Sequence, residues 1–203
     1  MYKTSEIFSY LTKKFPLKLQ EEWDQSGKIT FFDTNITKVL VCLDINEQSL
    51  NEAIKKGCNL IIAHHPIFTN SKEYPLSAKE KELVALLNKK KISVIALHTC
   101  FDNSPNGMNY AFLAGANIFR NIKVVKGPAG AHATADLTIS KTTSELVNFI
   151  KIKSKPSRVV ALNSFKNQSI KKVAVCCGSG FDVLKPLIEK NSNFDAYLTG
   201  DVK

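Results

Sequence analysis

The sequence predicts an α/β protein made of two α/β domains with mixed, largely parallel sheets. Short, nearly continuous apolar runs alternate with helical patterns along the chain, which is typical of strands joined by right-handed helical crossovers. Gly127, Pro128 and Gly130 interrupt this pattern and divide it into two halves. A chain of 203 residues, of which 44% are hydrophobic, can bury a substantial core without disulfides or metals.

The first half is predicted to begin with a helix at 5–15, which Pro16 ends. Apolar runs predict strands buried on both faces at 38–44, 59–63 and 92–97. Helical patterns follow these runs at 46–56, 78–89 and 108–114. Ser77 and Glu80 have capping-box spacing at the start of the helix 78–89, which supports that boundary.

The second half is predicted to contain strands at 134–139, 158–162 and 172–175, helices at 144–153 and 182–189, and a final strand-like run at 195–201. Thr142 and Glu145 form another capping-box spacing. We therefore expect one domain over residues 1–126 and a second over residues 127–203. The second is expected to be truncated at its C-terminal end, because Lys203 follows the last run without a closing helix.

The charge balance is basic but is weak evidence for nucleic-acid binding. Lys and Arg number 28 and Asp and Glu number 18, which gives a formal net charge of +10. Only Arg120 and Arg158 are arginines, although arginine is the side chain best suited to bidentate recognition of bases. The scattered lysines favour a solvated surface, with a polyanion-binding face as the alternative.

The cysteines and the N-terminus indicate a cytoplasmic protein. Five cysteines are present without a C-x-x-C pair, so neither a disulfide framework nor a structural zinc site is expected. The N-terminus lacks the basic-then-apolar layout of a signal peptide. No apolar run approaches the roughly 20 residues of a membrane helix, and no membrane association is expected.

Three of the four histidines directly follow predicted buried strands. His64 and His65 follow one strand, and His98 and Asp102 follow the next. Because ligands of open α/β sheets bind at the carboxyl ends of strands, these four side chains are expected in one crevice. Their nitrogen and oxygen atoms suit zinc, manganese, iron or nickel. The domain 1–126 is therefore expected to bind metal.

Adjacent side chains of a regular strand point to opposite faces. We therefore expect His64 and His65 to serve two different ions, which lie about 3.5–4 Å apart in dinuclear sites. Asp102 is the candidate bridging ligand. His98 is a further ligand or a group that orients Asp102, and it is also the nearest candidate for a catalytic acid or base.

Structural interpretations remain open for several of these features. A His-His pair is often structural, and the segment 102–107 could form only a turn. His132 has no partner nearby in the sequence and is expected to be structural. The turn 177–180 could cradle an anion with backbone N–H groups, but it lacks the lysine of a P-loop. The cluster 21–24 could line a cleft or cap the edge of a core.

Together these motifs resemble the GTP cyclohydrolase 1 type 2 homologue family, also called the Nif-three-like proteins. The resemblance rests on an ordered set of elements that runs along nearly the whole chain. They are Glu21-Glu22-Trp23-Asp24, Ala63-His64-His65-Pro66-Ile67-Phe68, His98-Thr99 with Asp102, Asn106-Gly107 with Asn109, Cys177-Gly178-Ser179-Gly180, and the run from Asp195 to Asp201.

The resemblance implies a dinuclear metal site in the cleft between two α/β domains and assembly into a homohexamer. Carried over to this chain, His64 and His65 bind two divalent ions and Asp102 is a ligand, with His98 beside them. Family members normally complete the site with a histidine and a glutamate beyond the T-G-D element. The sequence stops at Lys203 without them, so either the chain is truncated or its metal site is incomplete.

The predicted function is a metal-dependent hydrolase of the cyclohydrolase type that acts on a nucleotide-like or other small anionic substrate. Metal ions lower the pKa of bound water toward neutrality, and scattered lysines would attract an anion. The alternative is a non-enzymatic metal-binding adaptor or assembly component, because no proton-transfer group other than His98 is evident. Nucleic acid is not an expected partner.

Overall fold

The computed structural model describes residues 1–67, 75–127, 129–162 and 168–202. Phe68, Pro128 and Lys203, which figured in the sequence predictions, lie outside the described residues. The chain forms two compact units, Met1–Ser104 and Pro105–Lys203. Each unit contains a four-stranded mixed sheet with helices, which confirms the predicted α/β class.

The first unit has a largely parallel sheet in the order β1-β4-β3-β2. β2 and β3 are parallel, as are β3 and β4, whereas β1 runs antiparallel to β4. The elements are α1 (Thr4–Lys14), a 3-10 turn (Leu17–Leu19), β1 (Gly27–Thr30), β2 (Val39–Cys42), α2 (Glu47–Lys56), β3 (Leu60–Ala63), α3 (Ala78–Lys90), β4 (Ser93–Ala96) and α4 (Thr99–Asp102).

The core of the first unit lies on both faces of β3 and β4. Ile61 and Val94 belong to one buried cluster, which also contains Leu87 of α3. On the opposite face, Leu60 and Ile95 belong to a second buried cluster. Double-sided burial explains why these strands are nearly continuous apolar runs in the sequence. It also fixes the strand ends from which the histidines project.

The second unit has the sheet order β5-β6-β7-β8. Its elements are α5 (Met108–Ala114), β5 (Phe119–Gly127), β6 (Gly130–Lys141), α6 (Thr143–Ser154), β7 (Ile170–Ser179), α7 (Phe181–Glu189) and β8 (Ala196–Asp201). β5, β6 and β7 pair antiparallel, and only β7 and β8 are parallel. The prediction of a largely parallel sheet is therefore wrong for this half.

The boundary between the units lies before α5 rather than at Gly127. Gly127 pairs with Gly130 where β5 and β6 meet, so this segment is the end of a hairpin and not a linker. Leu113 of α5 and Phe119 of β5 are buried in the core of the second unit. Packing therefore assigns residues 105–126 to the second unit, although helix and strand patterns alone grouped them with the first.

Several other local predictions differ from the structure. β1 and β5 were not predicted, because Lys28, Arg120 and Lys123 interrupt their apolar patterns. The segment 158–162 has no regular secondary structure. Both predicted capping boxes are confirmed, since Ser77 accepts a hydrogen bond from the Glu80 amide and Thr142 accepts one from the Glu145 amide.

All five cysteines lie within the described residues, and none of them forms a disulfide. Among the helices of the described ranges, none combines the length and apolar character needed to cross a membrane.

Candidate metal centre

The histidines of the first unit lie at the carboxyl ends of β3 and β4, as the sequence predicted. The His64 amide donates to the Cys42 carbonyl at 3.2 Å, and the His65 amide donates to the Leu43 carbonyl at 2.9 Å. These bonds extend the pairing with the β2 side beyond the end of β3. The histidine pair is thus held by backbone hydrogen bonds from the neighbouring chain segment.

His64 and His65 do not keep the alternation of a regular strand. The backbone bends at both residues immediately after β3, and their ring centroids lie 4.9 Å apart. The expectation that the two side chains point to opposite faces therefore does not hold beyond Ala63. Because the bend brings the two rings together, they could serve one ion as well as two.

His98 completes a compact cluster of three imidazoles. Its ring centroid lies 5.1 Å from that of His64 and 5.3 Å from that of His65. One ligand atom from each histidine lies within 4.8 Å of the other two. These three side chains could therefore hold a metal ion. From the sequence, His98 was expected either as a ligand or as a group that orients Asp102. In the structure it offers a ligand atom in the same cluster as His64 and His65.

Each histidine of this cluster has its Nδ1 atom within hydrogen-bonding distance of an oxygen. The His64 Nδ1 lies 3.0 Å from the Leu97 carbonyl oxygen. The His65 Nδ1 lies 2.6 Å from Asp44 Oδ1, and the His98 Nδ1 lies 3.0 Å from Asp24 Oδ1. A carbonyl or carboxylate oxygen accepts a hydrogen bond, so each Nδ1 is assigned as the N–H donor and each Nε2 keeps its lone pair.

This hydrogen-bond pattern fits a metal centre. Histidines that bind metal usually donate their second ring N–H to a carboxylate or backbone carbonyl, which fixes both the tautomer and the ring orientation. Here all three imidazoles are oriented in this way by three different oxygen atoms. The residues present therefore provide a set of nitrogen ligands suited to a divalent transition metal.

The electrostatics keep His64 neutral. Burial, followed by the neighbouring His98 and His65, lowers the pKa of His64 to about 4. Its Nε2 is consequently unprotonated at neutral pH, which is the state that binds a metal. A partly buried imidazole with a low pKa among other imidazoles has the features of a functional site.

Asp102 lies beside this cluster, as expected from the sequence, and it ends α4, a short helix that was not predicted. Its Oδ2 is 3.8 Å from the His64 Nε2. Burial, to which Asp24 adds, raises the pKa of Asp102 to about 6 despite the opposing effect of His98. A nearby cation would favour the ionised carboxylate. The structure thus brings Asp102 to the histidines, and its role as a ligand stays a prediction.

Asp24 is the buried anchor of the site. Burial tends to raise the pKa of Asp24, but hydrogen bonds from His98, Thr99 and Ser26 outweigh it and lower the pKa to about 2. Ser26 Oγ and the Thr99 amide donate to its Oδ2 at 2.7 and 3.0 Å. The cluster 21–24 is therefore joined to His98 through Asp24.

Asp44 is a partner of His65 that was not predicted from the sequence. Asp44 lies two residues beyond β2, which is parallel to β3. Applying the strand-end rule to all three parallel strands would have identified it. The role of the Leu97 carbonyl had no sequence signal, because a backbone oxygen is present at every position. His132 belongs to the second unit, where its Nδ1 is buried without a hydrogen-bond partner.

The fold and the site define a class of protein: an α/β protein of two mixed sheets with a histidine cluster at strand ends that could hold a metal ion. The family model described as Duf34/NIF3 (NGG1p interacting factor 3) matches residues 2–203. The chain belongs to this family, and the resemblance stated from the sequence is confirmed.

Individual relatives agree with this assignment. The chain is 31% identical over 206 residues to a "GTP cyclohydrolase 1 type 2 homolog" from Ureaplasma parvum, covering 99% of this chain and 77% of the relative. It is 29% identical over 219 residues to "NGG1-interacting factor 3" from Saccharomyces cerevisiae, covering 95% and 75%.

Solved structures show the same fold. The crystal structure of Staphylococcus aureus protein SA1388 superposes with a TM-score of 0.86 at 24% identity, covering 100% of this chain and 80% of that one. A Bacillus cereus protein related to NIF3 gives a TM-score of 0.81 at 20% identity, covering 100% and 83%.

Proposed function

We propose that this protein is a metal-dependent hydrolase that binds two divalent ions and acts on a nucleotide-like or other small anionic substrate. The observation that carries the proposal is the cluster of His64, His65 and His98, whose Nδ1 atoms are all engaged with oxygen atoms. The names of bacterial relatives as GTP cyclohydrolase homologues support a hydrolytic reaction. The net charge of +10 supports an anionic substrate.

In this proposal His64, His65 and Asp102 hold the ions, and His98 provides a third imidazole. Divalent ions held there would lower the pKa of bound water toward neutrality and polarise a carbonyl or phosphoryl oxygen of the substrate. The chain itself presents three imidazoles oriented through Nδ1, and it partly buries the Asp102 side chain, of which 23% is exposed. Asp24 and Asp44 keep the protons of His98 and His65 on Nδ1, so that Nε2 remains available.

Metal analysis of purified variants tests the proposal. We expect His64→Ala and Asp102→Ala to lose most of the bound metal, because each removes a ligand atom. Asp182→Ala is the matched control, since Asp182 is an exposed carboxylate at the start of α7. Equal metal content in all four proteins, wild type included, would exclude the assigned ligands.

Turnover separates an enzyme from a metal-binding adaptor. Metal-loaded protein is incubated with a panel of nucleotides, and the products are separated by chromatography. Metal-dependent product formation that Asp102→Ala abolishes supports the hydrolase. Full metal occupancy without product from any nucleotide supports the adaptor instead.

We also propose that the protein assembles into a homohexamer, as the resemblance implies. Sedimentation velocity measures the assembly directly. A single species with about six times the mass of one chain is expected, and a concentration-independent monomer would contradict it.

A further inference from the structure

Trp23 is a large aromatic side chain exposed beside the histidine cluster. It is the only tryptophan in the chain, and 61% of its surface is exposed. Its ring lies edge-to-face with that of His98, with the centroids 5.6 Å apart and the planes at 72°. A tryptophan packed in a core stabilises the folded protein by removing about 150–250 Å² of surface from water. Core packing therefore does not explain why this one is in water.

The backbone on both sides of Trp23 is fixed to α4. The Asp24 amide donates to the Glu21 carbonyl at 3.0 Å and closes a turn that carries Trp23. The Glu21 amide donates to Thr99 Oγ1 at 2.9 Å, and the Asp24 carboxylate accepts from the Thr99 amide at 3.0 Å. The indole is thus held at a defined place, and a ligand that contacts it does not have to order this segment.

We propose that Trp23 is the stacking platform for a planar heteroaromatic ring of the substrate, of the nucleobase type. This inference rests on the proposed function, which it extends by naming the substrate group and the residue that binds it. An indole face stacks on any base because every base has a π-face. A ring on Trp23 would lie next to His98, whose own ring lies 5.1 Å from that of His64.

The single tryptophan provides a direct test, because all indole fluorescence of the protein comes from Trp23. Guanosine monophosphate is titrated into metal-free protein, with excitation at the red edge of the indole band and correction for absorption by the base. Ribose 5-phosphate serves as the matched ligand without a ring. We expect saturable quenching by the nucleotide and none by the sugar phosphate. Equal responses to both ligands would contradict stacking.

Calorimetry of variants measures how much the indole contributes to binding. Trp23→Ala should weaken guanosine monophosphate binding by about 5- to 150-fold, the range expected for the loss of one stacked base. Trp23→Phe should restore part of the affinity, because a phenyl ring also stacks. Tyr2→Ala is the control: Tyr2 is 69% exposed, and its carbonyl accepts from the Ile36 amide near the amino ends of the parallel strands. Unchanged affinity in Trp23→Ala would overturn the proposal.

The readouts distinguish failure of this inference from failure of the proposed function. Metal content should be the same in Trp23→Ala and in wild type, because Trp23 provides no ligand atom. Quenching without any metal binding supports the platform and contradicts the hydrolase. Metal binding without quenching contradicts the platform alone. An indole emission maximum that changes with protein concentration would show that a second copy covers Trp23, and this too would overturn the proposal.

Discussion

At the scale of single residues, the site depends on acidic side chains that orient histidines. Asp24 is fully buried and joined to His98, whereas Asp44 is exposed and joined to His65. The two carboxylates make similar contacts in different dielectric surroundings. Their removal should therefore affect stability and metal binding in different proportions.

Asp24→Asn should destabilise the protein strongly. The substitution replaces one carboxylate oxygen, which accepts hydrogen bonds, by an amide N–H₂, which can only donate. Donors that now bond to Asp24, such as those of His98, Thr99 and Ser26, would then lose an acceptor. We expect the free energy of unfolding to fall by about 2–4 kcal/mol, as measured by urea denaturation. Asp182→Asn, at an exposed position, should change it by less than about 0.5 kcal/mol. Similar effects of the two substitutions would contradict the anchoring role of Asp24.

The contribution of Asp24 should also depend on pH. Its pKa in the folded protein is about 2, below the ordinary value of 3.8, so folding favours the ionised form. The resulting stabilisation, about 2 kcal/mol, is complete above the unfolded pKa and is lost as the pH falls through the folded one. The stability difference between wild type and Asp24→Asn should therefore shrink between pH 3.8 and pH 2. A constant stability difference between pH 3.8 and pH 2 would contradict the lowered pKa of Asp24 in the folded protein.

Asp44→Ala should reduce metal affinity rather than stability. Loss of a carboxylate that orients a metal-binding histidine typically weakens binding about 10- to 100-fold, and Asp44 is 55% exposed. Competition with a chromophoric chelator gives the affinity, and urea denaturation gives the stability. Asp33→Ala is the control because Asp33 accepts from the Ser5 amide, not from a histidine. Equal metal affinities of Asp44→Ala and Asp33→Ala would contradict the role of Asp44 in orienting His65.

At the scale of secondary-structure elements, helix ends are determined by local side-chain chemistry. α3 begins where Ser77 accepts from the Glu80 amide, and α2 ends at Gly57 with a φ of 68°. A residue with a side chain is strained at such a positive φ, whereas glycine is not. Strand ends, in contrast, are not determined by local side chains. The pairing of β3 with β2 and β4 decides where β3 stops and where the segment with His64 and His65 bends.

Ser77→Ala tests the capping prediction. Loss of the side-chain acceptor should lower the free energy of unfolding by about 1 kcal/mol. Ser9→Ala makes the same chemical change inside α1, where Ser9 only bonds back to the Ser5 carbonyl. There the higher helix propensity of alanine should leave stability unchanged or raise it by about 0.5 kcal/mol. A cost as large at Ser9 as at Ser77 would contradict the assigned cap.

At the scale of the whole molecule, each unit has its own buried cluster of apolar residues. Leu87 is buried in the first unit and Leu113 in the second. Leu113 precedes the Gly127–Gly130 turn, and it nevertheless packs with residues of β6 and β7. The position of this leucine therefore distinguishes a boundary at 104/105 from one at 126/127.

Leu113→Ala should loosen the second unit. A cavity in a buried core costs about 2–5 kcal/mol, and amide hydrogen exchange should accelerate in β6 and β7. Leu87→Ala, the matched change in the first unit, should accelerate exchange in α2 and β3 instead. Faster exchange of β3 and β4 in Leu113→Ala, with β6 and β7 unaffected, would favour the boundary at 126/127.

The sequence by itself determined the features that depend on neighbours along the chain. The helix caps, the doubly buried strands β3 and β4, and the position of His64, His65, His98 and Asp102 at strand ends followed from local patterns. The family also followed, because its motifs are read in order along the chain. These features are predictable because each depends on spacing or on the burial of one element.

Only the tertiary structure decided the features that depend on which elements pair. The antiparallel β5–β6–β7 order, the placement of α5 in the second unit, and the contacts of Asp24 and Asp44 join residues far apart in sequence. The bend after Ala63 likewise brings the His64 and His65 rings next to each other, although the residues would alternate in a regular strand. Such contacts depend on packing free energy summed over the fold, whereas a linear pattern reports only the preferences of its own segment.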